Sequence, residues 1–454
     1  QLTIDSQGRV VVAGAGYVRI LKDNNEDGVA ETYTQFADGP QNGAMGMYFL
    51  GPDLICTGDA GLLRYKDTDR DDRADGEPDV FLKMKTGGEH DSHAIRRGPD
   101  GWWYIIAGNG AGITSAYATL PTSPVKQPSA GALMRLKPDL TGGEVYADGL
   151  RNAYDFDFNH MGDLFTYDSD GERDISLPWY RPTRVFHLLP GSHTGWISRS
   201  WKRPSSFLDM PPALGAFGRG SPTGVVTYRH TAFPKEYQNT LFAMDWTFGR
   251  VLALPMRSED GVWTSKPTEF MTAKGQFGFA PTDMAIGHDG SLYLTVGGRG
   301  TRGAVFRVTW KGQTSTEWWD SGTKYLSDLA AAKIPEFDTV EGQQYRQDQM
   351  TWCLQAPQAL CSWSRARWMP IAQQLGESYF RRAAIDRRLT TAERVRSIEI
   401  LTELFQGIQL PTMGVLANDP DTQVLARTVW SLGRTLITQE QLNQVIAFVD
   451  DGDP

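Results

Sequence analysis

A six-bladed β-propeller followed by an α-helical domain is the architecture this sequence predicts, and three observations carry the prediction. A unit of one apolar strand, a glycine turn, a second apolar strand and a third ending near a charged residue returns six times along the first two thirds of the chain. The composition is rich in turn and aromatic residues, with 48 glycines, 14 tryptophans and 16 tyrosines among 454 residues. After Trp310 the apolar residues change to helical spacing. The expected domains are a propeller over 1–312 and a HEAT-like helical domain over 313–454.

The first unit runs from Leu2-Thr3-Ile4 through the turn at Gly8 and Val10-Val11-Val12 to Tyr17-Val18-Arg19-Ile20. The second holds Gly46-Met47-Tyr48-Phe49, Asp53-Leu54-Ile55-Cys56 and Gly61-Leu62-Leu63-Arg64-Tyr65. The third opens at His93 and closes with Gly131-Ala132-Leu133-Met134-Arg135-Leu136, and the fourth includes Phe156-Asp157-Phe158 and Leu164-Phe165. The fifth spans Gly224 to Leu254, and the sixth Asp283 to Val308. Units of roughly 40 to 60 residues, each a small sheet unable to bury both faces alone, fit a propeller better than two sandwiches, which lack a fixed internal repeat. Loops at one end of the central channel are where a ligand is expected. Beyond Trp310, Ser327–Ala332, Thr391–Phe405 with a threonine cap before its acid, and Asp419–Arg434 with its glycine stop read as paired helices.

Hydrophobic residues make up 40% and charged residues 22%, enough for more than one core without disulfides. The formal net charge of -9 argues against a nucleic-acid partner, because phosphate binding needs a basic face. No run reaches the roughly 20 apolar residues of a membrane span. Gln1 opens within a strand rather than a signal peptide, and Asp453-Pro454 ends abruptly, so a trimmed chain is expected. Cys56 sits in an apolar strand and reads as a core thiol, whereas Cys353 and Cys361 are close enough in sequence for either a bridge or two thiols. There is no Cys-x-x-Cys-His for c-type haem.

Two stretches place oxygen ligands at alternate positions with a further carboxylate four residues on: Asp23, Asn25, Asp27 and Glu31, then Asp67, Asp69, Asp71 and Asp75. A hard cation wants six to eight such oxygens, so structural calcium is the expectation, with a solvated acidic turn as the alternative. Asp72 stands where such a loop usually has glycine. Calcium loops favour a compartment outside the cytoplasm, periplasmic or extracellular. Asp168 and Asp170 form a third acidic loop after an inner-type strand, pointing to the channel mouth, where they would hold a catalytic ion or sugar hydroxyls.

His90 and His93, two of seven histidines, lie between acids just before a strand. A neutral His90 can accept a proton from a substrate hydroxyl if a carboxylate such as Glu89 or Asp91 fixes its tautomer. The same pair could ligate a metal or be satisfied by backbone. Arg151 and Asn152 open a blade, where an arginine fork suits a carboxylate or quinone oxygen, or bridges blades. The glycine-rich stretch 297–303 precedes no helix and reads as a tight turn aiming Arg299 at the mouth.

Glu89-His90-Asp91-Ser92 running into Gly98-Pro99-Asp100-Gly101, Gly149-Leu150-Arg151-Asn152, and Gly191-Ser192-His193-Thr194-Gly195-Trp196 resemble the soluble glucose/sorbosone dehydrogenases, propellers that use pyrroloquinoline quinone (PQQ). Pro178-Trp179-Tyr180-Arg181-Pro182, Gly220-Ser221-Pro222-Thr223-Gly224, Asp245-Trp246-Thr247 and Gly297-Gly298-Arg299-Gly300 resemble more closely the membrane-bound dehydrogenase family of planctomycete type. The resemblance covers nearly the whole chain. It implies oxidation of a sugar or polyol hydroxyl, with His90 as base and Arg151, Asn152 and Arg299 at the cofactor. His93, Trp179, Tyr180, Arg181 and Trp246 would shape the substrate end, and a cytochrome c would accept electrons. Where those dehydrogenases carry a lysine in the fifth blade and two arginines opening the sixth, this chain reads Asp245-Trp246-Thr247-Phe248-Gly249 and Phe279-Ala280-Pro281-Thr282-Asp283. The competing classes are a calcium-stabilised glycan-binding or assembly module and a metal-dependent polysaccharide lyase or hydrolase.

Overall fold

The computed structural model of the chain describes residues 1–25, 27–259, 261–274, 278–298, 301–312, 317–434, 442–443 and 446. Six antiparallel sheets follow one another as the blades of a β-propeller. The first is built from Leu2–Ile4, Val10–Gly14, Tyr17–Lys22 and Thr32–Ala37, and the second from Gly46–Leu50, Asp53–Gly58, Gly61–Tyr65 and Asp79–Lys83. Ser92–Arg97, Trp103–Ala107, Gly131–Leu136 and Gly143–Leu150 make the third. Phe156–Phe158, Leu164–Asp168, Arg184–Leu188 and Ala213–Ala216 make the fourth. The fifth starts Pro222–Tyr228, Thr240–Asp245 and Arg250–Glu259, and both Val262–Ser265 and Thr268–Thr272 pair with its third strand. The sixth has Pro281–Ile286, Leu292–Gly298 and Thr301–Val308.

The apolar repeat is what stacks these sheets. Tyr48, Ile55 and Leu62 of the second blade share one buried cluster with Ile95, Trp103, Ile105 and Met134 of the third. Val226, Phe242 and Met244 of the fifth do the same with Met284, Ile286 and Leu292 of the sixth. Each such fully buried side chain contributes about 1.5–3 kcal/mol, and Trp103→Ala would cost about 3–5 kcal/mol. First strands of neighbouring blades pack against one another between the first, second and third blades, between the fourth, fifth and sixth, and between the sixth and the first. At Gly46 that approach leaves no room for a side chain, since a Cβ would lie 2.5 Å from Ala94 Cα. Aspartates tie the inner ring: Asp155 and Asp157 accept the backbone N–H of Val225 and Thr227 at 2.9 and 2.8 Å. Asp283 accepts that of Leu2 at 2.7 Å, closing the sixth blade on the first.

In an antiparallel blade the start of the first strand and the end of the second lie at the same end of the sheet. That end receives the loops around His90, Asn109, Arg151, Ser169, Ser221, Trp246 and Gly298. The acidic loops 23–31 and 67–75 join third to fourth strands, so topology sends them to the opposite end.

The chain divides into one compact unit of Gln1–Arg97, Trp102–Thr314 and Cys361–Trp363, and another of Gly98–Gly101, Ser315–Leu360 and Ser364–Pro454. Seven helices follow the propeller among the described residues: Glu317–Ala330, Val340–Leu354, Ser362–Leu375, Glu377–Ile385, Thr391–Leu404, Leu410–Leu416 and Thr422–Leu432. Thr391–Leu404 starts with a full capping box, in which Thr390 takes the Glu393 N–H and Glu393 returns a bond to the Thr390 backbone. Asp421 caps Thr422–Leu432 and Gly433 ends it. All three cysteines are free thiols. Among the described residues no helix is long and apolar enough to cross a membrane.

Candidate functional site

The loops gathered at one end of the propeller enclose a cavity of about 350 Å³ lined by Glu89, Arg151, Asn152, Tyr154, Ser169, Glu172, Ser221, Thr223, Trp246 and Gly298, among others. An adjoining cavity of about 620 Å³ shares Glu89, Arg151, Glu172, Ser221 and Trp246 and adds His90, Asn109 and Trp196. Both volumes lie in the range of small-ligand sites. His90 and Arg151, 61 positions apart in sequence, therefore meet at one wall.

Arg151 is held from several sides. Its Nη1 donates to Ser169 Oγ at 2.8 Å and lies 3.3 Å from Glu172 Oε1. Its guanidinium stacks over the Trp196 ring at 5.4 Å, and Lys202 Nζ sits 3.3 Å from the centre of the same ring. The turn itself is fixed by Asp168, whose carboxylate accepts the backbone N–H of Arg151 and Asn152 at 2.9 and 2.8 Å. Burial pushes the Asp168 carboxyl up to about 6 in spite of those bonds. Asp170 accepts Lys202 Nζ at 2.7 Å and lies 3.7 Å from Arg184.

The two histidines of the His-x-x-His motif part company. His90 is half-buried at the cavity wall, with Nδ1 2.5 Å from the side-chain amide of Asn109. His93 is fully buried, stacks on Tyr154 with ring centres 3.9 Å apart, and places Nε2 3.1 Å from Asn152 Oδ1. Burial pushes its imidazole down to about 4. His93 thus stands behind Asn152 and does not line either cavity. The close approach of the His90 loop depends on Gly108, where a Cβ would fall 2.6 Å from Asn152 Oδ1 and 2.7 Å from the His90 carbonyl.

Of the other residues singled out by the sequence, Trp246 lines both cavities and donates Nε1–H to the Gly297 carbonyl at 2.7 Å. Trp179, Tyr180 and Arg181 belong to the same loop end but not to the described lining; Arg181 donates to the Arg203 carbonyl at 2.6 Å. Arg299 lies outside the described residues. Asp168 and Asp170, expected at a catalytic ion or at sugar hydroxyls, are engaged by backbone and Lys202 and belong to no cluster of three metal-ligating side chains among the described residues. The clusters that do form are Asp23, Asp27 and Glu31, and Asp67, Asp69 and Asp71, each with ligand oxygens within 4.8 Å of one another. Asn25 Oδ1 accepts the Asp27 N–H, while Asp75 turns instead to Thr68, taking its N–H and hydroxyl.

Asn109, Glu172 and Trp196 were not picked out as site residues in the sequence. Of the two carboxylates expected to orient His90, Asp91 is turned elsewhere: it accepts the Gly88 N–H and pairs with Lys85 at 2.9 Å. Asn109 takes that place. Its only sequence signal is the Gly108-Asn109-Gly110 turn directly after a strand.

Fold and site together define a propeller with a polar, aromatic-walled cavity where its inner strands begin. The family described as a domain of unknown function (DUF7133) matches residues 5–295, and the chain belongs to it. The solved structures it is similar to include a glucose dehydrogenase-type oxidoreductase of Thermus thermophilus. That structure is 19% identical with a TM-score of 0.50, over 67% of this chain and 95% of that one. The PQQ-bound aldose sugar dehydrogenase of Streptomyces coelicolor gives 15% identity and 0.50 over 67% and 92%. A Trichoderma reesei member of carbohydrate-active enzyme family AA12 gives 11% and 0.50 over 68% and 92%. At such identities the likeness establishes the shared propeller fold. No curated protein matches the sequence.

For a polycarboxylate quinone the inner cavity supplies few cations, whereas the adjoining cavity adds Arg173 and Arg199 to Arg151. Among the inner cavity's described lining residues Arg151 is the one arginine or lysine, it is engaged by Ser169 and Glu172, and it faces two carboxylates, Glu89 and Glu172.

Proposed function

We propose that the mouth cavity binds a neutral sugar or polyol, and that the chain is a dehydrogenase-like propeller oxidising one hydroxyl of that ligand outside the cytoplasm. The observation that carries this reading is the convergence of His90, Arg151, Glu172 and Trp246, from three blades, on one cavity system. A hydroxyl both donates and accepts, which suits a lining that alternates carboxylates with Arg151, Ser169, Ser221 and Thr223. Trp246 offers an apolar ring face beside them. In this reading Arg151 and Glu172 orient the ligand and His90 contacts the reacting oxygen. Calcium is the proposed structural ion of Asp23, Asn25, Asp27 and Glu31 and of Asp67, Asp69 and Asp71. The sequence resemblance to membrane-bound dehydrogenases makes a cytochrome c the proposed electron acceptor.

A second reading, a non-catalytic glycan-binding module, is favoured by the inner cavity, where Arg151 is the one arginine or lysine among the described lining residues and is already engaged by Ser169 and Glu172. The two separate in one experiment. The protein is incubated with calcium and either PQQ or an uncharged benzoquinone, and dye reduction is followed across a panel of sugars and polyols. Turnover with at least one substrate, lost in His90→Ala and Arg151→Ala, is expected. No turnover with either acceptor, alongside retained glycan binding, would remove the oxidative reading and leave the module.

A further inference from the structure

We propose that Asn109 fixes the tautomer of His90, so that the neutral ring carries its hydrogen on Nε2 and His90 meets a ligand oxygen as a hydrogen-bond donor, not as a proton acceptor. The inference concerns the same site as the sugar reading but rests on geometry alone.

Three neighbours surround the Asn109 amide. The indole N–H of Trp196 can only donate, and the backbone carbonyl of Arg151 can only accept. The amide oxygen therefore belongs 3.0 Å from Trp196 Nε1, and the amide nitrogen 2.9 Å from the Arg151 oxygen. The opposite assignment would set oxygen against oxygen and N–H against N–H. With the amide so oriented, its nitrogen also points at His90 Nδ1, 2.5 Å away, and donates to it. Nδ1 must then present its lone pair, because a hydrogen there would meet the amide N–H head-on. The hydrogen of the neutral ring is left on Nε2.

The lock is well braced. Asn109 N–H donates to the Arg151 carbonyl at 2.8 Å, and Gly110 N–H donates to the His90 carbonyl at 2.8 Å. Trp196 is itself covered by the Arg151 guanidinium and Lys202. The same Arg151 whose side chain borders the cavity thus orients, through its carbonyl, the amide that sets His90. Since His90 lines the outer cavity, an Nε2–H there selects for a ligand with an oxygen lone pair at that point, a hydroxyl or a carbonyl. The carboxylates Glu89 and Glu172 border the same cavity, where a carboxylate oxygen accepts from a ligand hydroxyl. Asn109 is a positioning residue in this scheme.

The test uses the full chain labelled with ¹⁵N-histidine and long-range ¹H–¹⁵N correlation spectra, in which the His90 signals, among those of seven histidines, are the ones missing in His90→Gln. A hydrogen on Nε2 with a bare Nδ1 is expected; a hydrogen on Nδ1 overturns the proposal. Asn109→Asp exchanges the amide donor for an acceptor and should move the ring hydrogen to Nδ1, whereas an unchanged Nε2–H pattern would show that Asn109 is not the lock. Should that variant fail to fold, Asn109→Ala removes the amide altogether and should yield a mixture of tautomers; a single unchanged tautomer counts against the proposal. Each measurement reads the protein without substrate, so its failure is distinct from failure of the sugar reading.

Discussion

Two sets of carboxylates in this propeller look alike in sequence and behave differently in the fold. Asp168 and Asp170 at the site end are buried and saturated by backbone N–H groups and Lys202. Asp23, Asp27 and Glu31 at the opposite end are exposed, and their oxygens crowd within 4.8 Å of one another. The first set already has protein partners to offset its burial. The second has backbone N–H groups, such as that of Gly28 on Asp23 at 2.7 Å, but no buried setting to hold it together. Crowded, exposed acids are the ones a dissolved cation can join. The loop at 67–75 lies between these cases: Asp67 is buried, and Asp72, with φ of 70° in the place of the usual glycine, is gripped by Arg9 at 2.7 Å. There an arginine has taken over part of the neutralisation.

The sharpest way to break this contrast is Asp168→Ala. It strands two backbone donors beneath the Arg151 turn and should cost about 2–4 kcal/mol in urea unfolding. The same change at exposed Asp27 should cost under about 1 kcal/mol in calcium-free buffer; equal losses would dissolve the distinction. Next in size, calcium at roughly 100 times its dissociation constant should add about 2.7 kcal/mol of stability to the parent protein. That gain should shrink in Asp23→Asn and persist in Asp170→Asn, as read by thermal melts with and without chelator.

Acid titration sharpens the comparison further, because the buried groups of the site end titrate with opposite signs. The His93 imidazole is held down at about 4 by burial. Its contribution to stability is thus whole above its ordinary value of 6.5 and disappears as the pH falls through about 4. His93→Gln should flatten the stability profile across that window by up to about 1.4 kcal/mol per pH unit. Asp168, raised to about 6, works the other way. Its contribution is whole below its ordinary 3.8 and disappears as the pH rises through about 6, so Asp168→Asn should steepen the acid-side loss. The smallest effect expected is Trp246→Ala, which should weaken sugar binding about tenfold by calorimetry and lower stability by about 1 kcal/mol or less, since its ring is half-exposed at the wall.

The propeller was legible because a repeated apolar pattern is a property of each strand by itself. Val10–Gly14 and Leu164–Asp168 alternate or fill with buried residues whatever lies next to them. The helix at Thr391–Leu404 announced itself in the same local way, through its cap and its acid three residues on. His90 and Arg151 could be nominated because the chemistry of an imidazole and a guanidinium is written in the residue name. Their roles could not be. His93 has the same side chain as His90 and lies three positions further along, yet it is enclosed behind Asn152 because strand alternation and the Tyr154 ring bury it.

What the sequence determined by itself was the repeat, its period and the kinds of side chain available at each loop, since these follow from local pattern and composition. Only the folded chain decided which of those side chains share a cavity, which acids are neutralised by the protein, and which nitrogen of His90 carries a hydrogen. Each of those depends on groups brought within about 3 Å from distant positions, a separation at which hydrogen bonds and ion pairs act and about which linear spacing carries no information.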